Sequence, residues 1–481
     1  MTPSTTARSS RTPGPAGPEP LPGRDQRVRQ GKAARTKVPR ATHAEFEPGP
    51  DRPDPLTLLE RQGANRVPEL LPIRYGRMAS SAFAFFRGAA LPMASDLART
   101  PRSGLTVQVC GDAHLSNFGL FASPERNLVF DINDFDETTQ GPWEWDVKRL
   151  ATSLAVAGRA NDYSAKDRRS IVLAAVASYR RAMLRFAAMS TLDVWYARAD
   201  LDTVRSMTDL RLKDRQREDL GRTVAKARTK DNLGALGRFA SVVDGVTRLK
   251  AEPPLIVPIR DLFDASEARA LEGQLRQLLL AYRATLEPER RVLLDQYRLV
   301  DVARKVVGVG SVGTRSWMLL LLGDSDDADP LFLQAKEAGP SVLEEFVGPG
   351  EFENAGQRVV VGQRLMQATS DIFLGWIRND GIDRPRDFYI RQLRDWKGSA
   401  VIATMDRSGM RAYGEVCGWT LARAHARSGD RIALAAYLGT STSFDEAVQT
   451  FAESYADQND RDHRSLLDAI ASGRIAAEAG V

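Results

Sequence analysis

The sequence predicts an α+β fold with two lobes, in which a helix-rich lobe comes first and a small β-rich lobe follows it along the chain. The length favours two lobes, because about 430 residues remain after a Pro-rich N-terminal segment, more than one hydrophobic core usually spans. The patterning divides them: helical spacing dominates residues 51–300 and returns over residues 401–481, whereas strand-length apolar segments concentrate in residues 301–400.

Residues 1–50 form the first predicted region, a disordered, basic and Pro-rich tail. The tail carries nine Lys or Arg and four Asp or Glu, and this surplus of five equals the formal net charge of the whole chain. Its composition favours a solvated arm. Non-specific contact with nucleic acid or an acidic membrane is the alternative for the tail, whereas the nearly neutral remainder does not indicate nucleic-acid binding.

The composition also predicts a cytoplasmic protein without a membrane span. No apolar run reaches the ~20 residues that cross a bilayer, and the N-terminus lacks the apolar region of a signal peptide. Cys110 and Cys417 are the two cysteines of the chain. They are too few for a disulfide framework or a cysteine-built zinc site, which is consistent with a reducing compartment.

The helix-rich lobe contains a short strand motif. Residues 55–97 carry apolar side chains at helical spacing. Residues 105–110 alternate and are β-branched, which predicts a strand that ends at Gly111 and Asp112. Residues 127–132 predict a second short strand, which a cluster of acidic residues follows.

The elements after this motif divide into a helical block and a β-rich segment. Helix is predicted over residues 143–159 and throughout a block spanning residues 164–298. Later apolar segments predict strands at residues 302–307, 316–322, 331–336, 371–377 and 388–393. Further helices are predicted within residues 341–367 and at residues 411–427, 432–437 and 444–472.

The loop after the first strand carries residues suited to phosphoryl transfer. In that reaction a protein positions a hydroxyl group, orients Mg²⁺ and neutralises phosphate charge. Asp112 is followed five residues later by Asn117. The aspartate can accept the proton of the hydroxyl group, and the asparagine can hold a metal ion from the other side. We therefore predict Asp112 as a catalytic base or substrate-orienting group and Asn117 as a metal ligand.

Acidic residues crowd after the second strand, at Asp131, Asp134 and Asp136, with Asn133 among them. Three carboxylates within six residues repel one another unless a cation lies between them. Oxygen ligands of this kind favour Mg²⁺, or alternatively Mn²⁺, over softer metals. The cluster predicts a divalent metal site, and a solvated acidic loop is the alternative.

A second motif combines Gly308, Gly310 and Gly313 with Ser311 between two predicted strands. In a dinucleotide-binding fold the same glycine spacing would open a helix. Because a strand follows here, the spacing instead predicts a glycine hairpin over the phosphates of ATP, as in kinases. The next strand ends in Lys336, which we expect to contact the α and β phosphates. An ordinary lysine at a strand end is the alternative.

The two motifs come in the reverse of the usual order, because a kinase presents its glycine loop and lysine before its catalytic aspartate. We therefore predict circularly permuted lobes joined by the helical block, unless one of the two matches is accidental. Permutation is tolerated where the original termini lie close together at the surface.

Residues 109–119 resemble the catalytic loop of aminoglycoside phosphotransferases and choline kinases, in which a Gly-Asp pair is followed by a histidine and an asparagine. Asp134 resembles the metal-binding aspartate of those enzymes, and Asp146 resembles the aspartate that begins a helix twelve residues later. Short segments such as Arg87-Gly88-Ala89 and Leu374-Gly375-Trp376 resemble sequences of a bacterial family, domain of unknown function 2252. This family is grouped with protein-kinase-like folds. This likeness covers nearly everything after the tail.

The resemblance implies roles for particular residues. Asp112 would be the base, and the Mg²⁺ ligands would be Asn117 and Asp134, with Asp136 beside them. Lys336 would be the phosphate-binding lysine, paired with an acidic residue. Glu344 is our candidate for that partner, and the alternatives are Glu345, Glu351 and Glu353. One departure from the family pattern is Cys110, which replaces the histidine that usually precedes the Gly-Asp pair.

The sequence therefore predicts a kinase-like, ATP- and Mg²⁺-dependent phosphotransferase that acts on a hydroxyl group of an unidentified acceptor. A small molecule fits the resemblance, and a protein acceptor remains open. Two alternatives use the same nucleotide pocket: an inactive pseudokinase that serves as a nucleotide-binding scaffold, and an enzyme that transfers AMP to a protein. A scaffold would not need Asp112, Asn117 and the acidic cluster together.

Overall fold

The computed structural model describes residues 22–208, 214–306, 308–324, 329–380, 384–393 and 396–480. The described residues are 54% helix and 16% strand, which confirms the α+β class. Helices from both ends of the chain build the largest hydrophobic core, and a six-stranded sheet has separate cores on its two faces. None of the described helices is both long and apolar enough to span a membrane.

The helices of the described residues are α1 (Arg24–Lys37), α2 (Pro55–Gly63), α3 (Leu71–Ala79), α4 (Ala82–Gly88), α5 (Ala90–Leu97), α6 (Trp143–Ala160), α7 (Ala165–Ala188), α8 (Thr191–Tyr196), α9 (Leu201–Thr208), α10 (Asp214–Arg228), α11 (Asn232–Phe239), α12 (Ile259–Leu262), α13 (Ala265–Ala284), α14 (Pro288–Leu294), α15 (Glu344–Val347), α16 (Ala355–Met366), α17 (Arg407–Ser428), α18 (Arg431–Leu438) and α19 (Ser443–Ala471). The strands are β1 (Thr106–Val109), β2 (Phe118–Ala122), β3 (Leu128–Ile132), β4 (Thr139–Pro142), β5 (Ala199–Asp200), β6 (Ala240–Val243), β7 (Val246–Leu249), β8 (Ile256–Pro258), β9 (Arg298–Lys305), β10 (Ser316–Leu322), β11 (Pro330–Ala338), β12 (Gly375–Asn379) and β13 (Arg386–Gln392).

Helix α1 corrects the prediction of a disordered tail. Gly31 lets α1 lie against α18, because a Cβ atom at Gly31 would lie 2.1 Å from the carbonyl oxygen of Ala433. Arg27 forms an ion pair of 2.8 Å with the aspartate that precedes α18. The next turn buries His43 completely. Arg27 and His43 therefore anchor this segment to the folded chain, and residues 1–21 lie outside the described residues.

The predicted helical region over residues 55–97 is divided into four helices, α2 to α5. A 3₁₀ turn separates α2 from α3, and Ser81 begins α4 by accepting a hydrogen bond of 3.0 Å from the backbone of Ala84. The apolar positions face inward, as Met78 and Phe85 are buried. These helices later form one wall of the candidate site.

The long helices α6, α7, α17 and α19 enclose the largest core. Gly418 of α17 lies so close to α7 that a Cβ atom there would be 2.3 Å from the carbonyl oxygen of Ala175. The ring of Trp143 stacks on Tyr179 with a centroid distance of 5.7 Å. The helices predicted near both ends of the chain are thus confirmed, and they form a platform for the short strands.

Two short antiparallel groups of strands accompany this helical core. One contains β1 and β4, and the other contains β2, β3 and β5. The strands predicted at residues 105–110 and 127–132 are confirmed as β1 and β3. The backbone N–H of Asn133, just after β3, donates to the carbonyl oxygen of Asn117 at 2.7 Å. The acidic segment therefore lies beside the loop that follows β1.

The six-stranded sheet has the order β12-β13-β11-β10-β9-β8, and all neighbouring strands are antiparallel. Alternate residues of β10 face opposite cores: Leu319 packs with residues of α13, and Leu320 packs with residues of α11. Ser316 is directly opposite Lys336 in the register of β10 and β11. The predicted late strands are confirmed, although β12 begins after the predicted position.

The predicted helical block over residues 164–298 contains strands that the prediction missed. Strands β6 and β7 form a hairpin whose turn residues Asp244 and Gly245 have φ values of +51° and +74°. An Asp-Gly pair between apolar segments is a strong hairpin signal, because both residues tolerate positive φ. Strand β8, which begins at Ile256, joins β9 at the sheet edge. The sheet therefore includes residues before the predicted boundary at residue 300.

Candidate functional site

The loop after β1 is held from behind by the first turn of α6. The backbone N–H groups of Cys110 and Gly111 donate to the two carboxylate oxygens of Asp146 at 2.8 and 3.0 Å. His425 Nε2 lies 3.2 Å from Oδ2 of the same carboxylate. Gly111 has φ +79°, and a Cβ atom there would lie 2.2 Å from the carbonyl oxygen of Glu137. The loop therefore requires glycine before Asp112, and Asp146 fixes its path.

Asp112 is oriented by a buried arginine. Arg149 Nε donates to Asp112 Oδ1 at 2.5 Å, and Arg149 Nη2 donates to the carbonyl oxygen of Phe86 at 3.0 Å. Asp112 Oδ2 lies 3.6 Å from His114 Nε2. Burial lowers the pKa of His114 to about 4, so that its ring is neutral near pH 7. One carboxylate oxygen of Asp112 is therefore tied to Arg149, and the other has no hydrogen bond within the described residues.

Asn117 connects this loop to the acidic segment. Its Nδ2 atom donates to the carbonyl oxygen of Asp112 at 2.6 Å. Its own carbonyl oxygen accepts from Asn133, as described above. In the described part of the chain the side-chain oxygen of Asn117 has no hydrogen-bond donor, and Asn117 lines the same cleft as Asp112. The asparagine therefore has a side-chain oxygen atom that is available to a ligand in the cleft.

The three aspartates after β3 have different environments. Asp131 is buried in an ion pair with Arg423 and accepts from the backbone of Ala368 at 3.0 Å, which makes it part of the core. Asp134 lines the cleft, and its Oδ1 atom is buried without a hydrogen bond, 3.5 Å from Lys336 Nζ. Desolvation and the neighbouring carboxylate of Asp136 raise the pKa of Asp134.

Asp136 is the main partner of Lys336. Its Oδ2 atom lies 2.7 Å from Lys336 Nζ and accepts from Ser311 Oγ at 3.0 Å, and its Oδ1 atom accepts from the Tyr389 hydroxyl at 2.6 Å. Burial alone would raise the pKa of Asp136, but the Lys336 ammonium outweighs it and lowers the pKa below the ordinary aspartate value. Both oxygens of Asp136 are thus occupied by protein donors.

Lys336 lies in the middle of the sheet and is almost fully buried. Burial opposes its charge, but the carboxylates of Asp134 and Asp136 raise its pKa above the ordinary lysine value. The predicted partner lies elsewhere, because Glu344 Oε1 is 3.6 Å from Arg358 Nε. Its neighbour Glu345 pairs with an exposed arginine on α2 at 2.6 Å. The structure therefore places Lys336 against the acidic segment rather than against either of these glutamates.

The glycine loop between β9 and β10 lies over the acidic segment. Gly308 and Gly313 have φ values of +31° and +87°, a conformation that favours glycine. The hydroxyl group of Ser311 reaches Asp136, as described above. The other side of the loop is held by Arg66, whose Nη1 atom donates to the carbonyl oxygen of Val312 at 2.5 Å. The glycine loop thus contacts the acidic segment through Ser311 and the segment between α2 and α3 through Arg66.

Seven of the predicted site residues line one cleft, namely Asp112, Asn117, Asp134, Asp136, Gly308, Gly310 and Ser311. Lys336 borders the cleft through its ion pairs, whereas Gly313 and Glu344 are not among its lining residues. The cleft volume is 140 Å³. A groove lined by Phe46, Arg52 and Thr100 is larger, at 540 Å³. The chemistry of the cleft, and not its size, makes it the candidate site.

Sequence reasoning missed further residues that line the cleft, in particular Glu137, Arg66 and Arg87. Burial raises the pKa of Glu137 to about 7, and the charges of Asp136 and Asp112 add to this effect. Glu137 follows the acidic cluster directly, so its position was a usable signal. Arg87 appeared in the sequence only within the segment Arg87-Gly88-Ala89 that resembles the family, and Arg66, in the turn between α2 and α3, carried no signal.

The residues present fit a hard divalent cation in part. Asn117 and Asp134 supply oxygen atoms, and Asp134 Oδ1 is a buried acceptor without a donor. Hard cations such as Mg²⁺ are commonly bound by one or two carboxylates together with substrate phosphates. Within the described ranges no group of three or more His, Cys, Asp and Glu side chains could hold a metal ion. A metal at this cleft would therefore need ligands from a bound phosphate.

Comparison with protein families assigns the chain to one of them. Residues 66–469 match the family described as "Uncharacterized protein conserved in bacteria (DUF2252)". Because this match covers most of the chain, the protein belongs to that family. No curated protein and no solved structure matches the chain.

Proposed function

We propose that this member of the DUF2252 family is a kinase-like phosphotransferase that uses ATP and Mg²⁺ and has its two lobes in permuted order. The observation that carries the proposal is the meeting of Asp112, Asn117 and Asp134 in one cleft, under a glycine loop and beside the buried Lys336. These groups come from segments about 200 residues apart. Their convergence matches the division of roles that phosphoryl transfer requires.

Asp112 is the proposed base. Its Oδ1 atom is held by Arg149, which leaves Oδ2 to receive a proton from an acceptor hydroxyl group. The acceptor oxygen bonds to the γ-phosphorus while the bond from that phosphorus to the bridging oxygen breaks. ADP leaves with the electron pair, and the acceptor proton passes to Asp112. The neutral His114 lies beside the carboxylate without forming a charged pair with it.

Asn117 and Asp134 are the residues that would hold Mg²⁺, through the side-chain oxygens that have no hydrogen bond among the described residues. When bound, the cation would neutralise part of the phosphate charge. We assign Asp136 a different role, because Lys336, Ser311 and Tyr389 occupy its oxygens. Asp136 is the ion-pair partner of Lys336 when no nucleotide is bound.

Nucleotide binding requires the cleft to open. The cleft volume of 140 Å³ is below the ~300–1,000 Å³ of typical ligand pockets. Lys336 has two carboxylates beside it, and incoming phosphates would compete with them for its ammonium group. The glycine loop would move with this exchange, because Ser311 is bonded to one of the same carboxylates.

The permuted order has support from a contact between early and late described segments. The catalytic loop at Asp112 precedes the glycine loop, which begins at Gly308, yet both line one cleft. The last described segment returns to the first helices, as the backbone N–H of Glu478 donates to the carbonyl oxygen of Pro72 at 2.9 Å. A circular permutation joins the original termini and opens the chain at another point. The segments on either side of that point should therefore still pack together, as these two do.

The test of the proposal is calorimetric titration with ATP, with and without Mg²⁺. Wild-type protein should bind ATP in a Mg²⁺-dependent manner, and Asp134→Ala should lose that dependence. Asp202→Ala is a matched control, because Asp202 is an aspartate with a 96% exposed side chain. Absence of ATP binding under both conditions would remove the kinase-like mechanism. With an acceptor in hand, the mass of the product would distinguish phosphoryl transfer from AMP transfer.

A further inference from the structure

One wall of the cleft carries arginine side chains that lack counter-ions. Arg66, Arg74 and Arg87 lie in the segment from α2 to α4, and we call them the arginine wall. None of the three forms an ion pair with another described residue. Arg74 is completely buried, and its Nη2 atom donates to Gln62 Oε1 at 2.6 Å, but Nε and Nη1 have no partner. Burial and the charge of Arg66 lower the pKa of Arg74.

Arg66 and Arg87 are the members of the wall that line the cleft. Arg87 differs from Arg66 in that its Nε atom is buried without a hydrogen bond. Its carbonyl oxygen would lie 3.4 Å from a Cβ atom built on Gly310, so the residue sits under the glycine loop. Burial lowers its pKa, while the carboxylates of Asp112 and Asp134 oppose that effect. Arg87 therefore lies near both the proposed base and the proposed metal ligand.

Fully buried arginines elsewhere among the described residues have carboxylate partners: Arg423 pairs with Asp131, and Arg180 pairs with Asp445 at 2.8 Å. Arg87 is half-buried, and a desolvated charge without a partner is unfavourable because desolvation is not offset by Coulomb attraction. Asp112 and Asp134, which line the cleft with Arg87, already form ion pairs with Arg149 and Lys336. An anion that arrives with the ligand would supply the missing partner.

We propose that Arg87 binds the terminal phosphate of the nucleotide. This inference rests on the proposed function and deepens it. A group that is transferred from the metal side to the base side must pass between Asp134 and Asp112, and both of these carboxylates line the same cleft as Arg87. The planar guanidinium group can donate two parallel hydrogen bonds to phosphate oxygens.

The experiment compares a non-hydrolysable ATP analogue with ADP in calorimetric titrations with Mg²⁺. Arg87→Gln should weaken binding of the ATP analogue by about 10- to 100-fold and leave ADP binding unchanged, because a hydrogen bond to a charged group is lost only with the terminal phosphate. Arg87→Lys should give an intermediate loss. Arg61, on α2, forms an exposed ion pair with Glu345. Arg61→Gln removes the same charge there and should change neither affinity.

The outcomes separate this inference from the function on which it rests. If wild-type protein binds the analogue and Arg87→Gln keeps the same preference over ADP, the role of Arg87 is refuted and the kinase-like function stands. If wild-type protein binds neither nucleotide, both are refuted. Thermal unfolding of each variant identifies loss of folding, and a selective loss of analogue binding by folded Arg87→Lys would support the inference without Arg87→Gln.

Discussion

Replacing Asp136 with asparagine should destabilise the protein, because Lys336 is buried and would lose its closest counter-charge. The shape of the side chain is kept, but the ion pair of 2.7 Å becomes a hydrogen bond to a neutral group. Removing one partner of a buried ion pair typically lowers the free energy of unfolding by ~3–5 kcal/mol. We expect about 3 kcal/mol, the lower end of that range, because Asp134 remains 3.5 Å from the ammonium.

A double-mutant cycle isolates the interaction. Lys336→Met leaves Asp136 with its hydrogen bonds to Ser311 and Tyr389, so we expect a smaller loss than for Asp136→Asn. The free energy of unfolding should fall by less in the double variant than the sum of its decreases in the two single variants, with a coupling energy of about 0.5–3 kcal/mol. Urea denaturation near pH 7 measures each free energy of unfolding, and the m-value should stay constant.

The pH dependence follows from the sign of the pKa shift. The folded-state pKa of Asp136 is lowered, so its contribution is present above the unfolded pKa of aspartate and is lost as the pH falls through the folded pKa. The difference between wild type and Asp136→Asn should therefore be constant from about pH 6 to 7 and shrink in acid below about pH 4.

Two results would refute this assignment. If Asp136→Asn lowers the free energy of unfolding by less than about 1 kcal/mol, this carboxylate does not stabilise the buried charge of Lys336. Strict additivity in the cycle would have the same meaning. Mg²⁺-dependent ATP binding gives a second readout: it should persist in Asp136→Asn and fail in Asp134→Ala if only Asp134 is a metal ligand.

Two further variants test other groups in the cleft. Asp112→Asn should lower ATP turnover by about 10²–10⁴ while nucleotide affinity stays unchanged, and equal turnover of variant and wild type would remove the base assignment. Glu137 has a folded pKa of about 7 against an ordinary value of 4.5, so the unfolded chain releases its proton first and wild-type stability should fall as pH rises between these values. Glu137→Gln should lack this pH dependence of stability. If the free energies of unfolding of variant and wild type, measured by urea denaturation, differ by a constant amount from pH 5 to 8, the raised pKa of Glu137 is contradicted.

Local patterns predicted the parts of the fold that depend on one segment at a time. The alternation in residues 105–110 predicted β1, because alternate side chains of a strand face the same side. The strand after the glycine spacing was predicted from its length and composition and is β10. The residue types of the two motifs were likewise evident from spacing alone, and seven predicted site residues line one cleft.

The elements that the sequence did not reveal depend on distant partners or on a competing pattern. Helix α1 is polar on nearly every side, and it packs because Gly31 fits against α18, about 400 residues away. The β6–β7 hairpin had a local signal at Asp244 and Gly245, but the prediction extended the helical block through this segment. In each case the missed element is decided by which surfaces meet after folding.

The sequence by itself determined the chemical groups that the cleft can use: carboxylates after two short strands, an asparagine, a glycine hairpin and a lysine on the following strand. Only the tertiary structure decided which charge lies beside which. It paired Lys336 with Asp136 across 200 positions of sequence, and it left Arg74 and Arg87 without carboxylate partners. The physical reason is that Coulomb attraction and desolvation depend on distance and burial in space, which spacing along the chain does not specify.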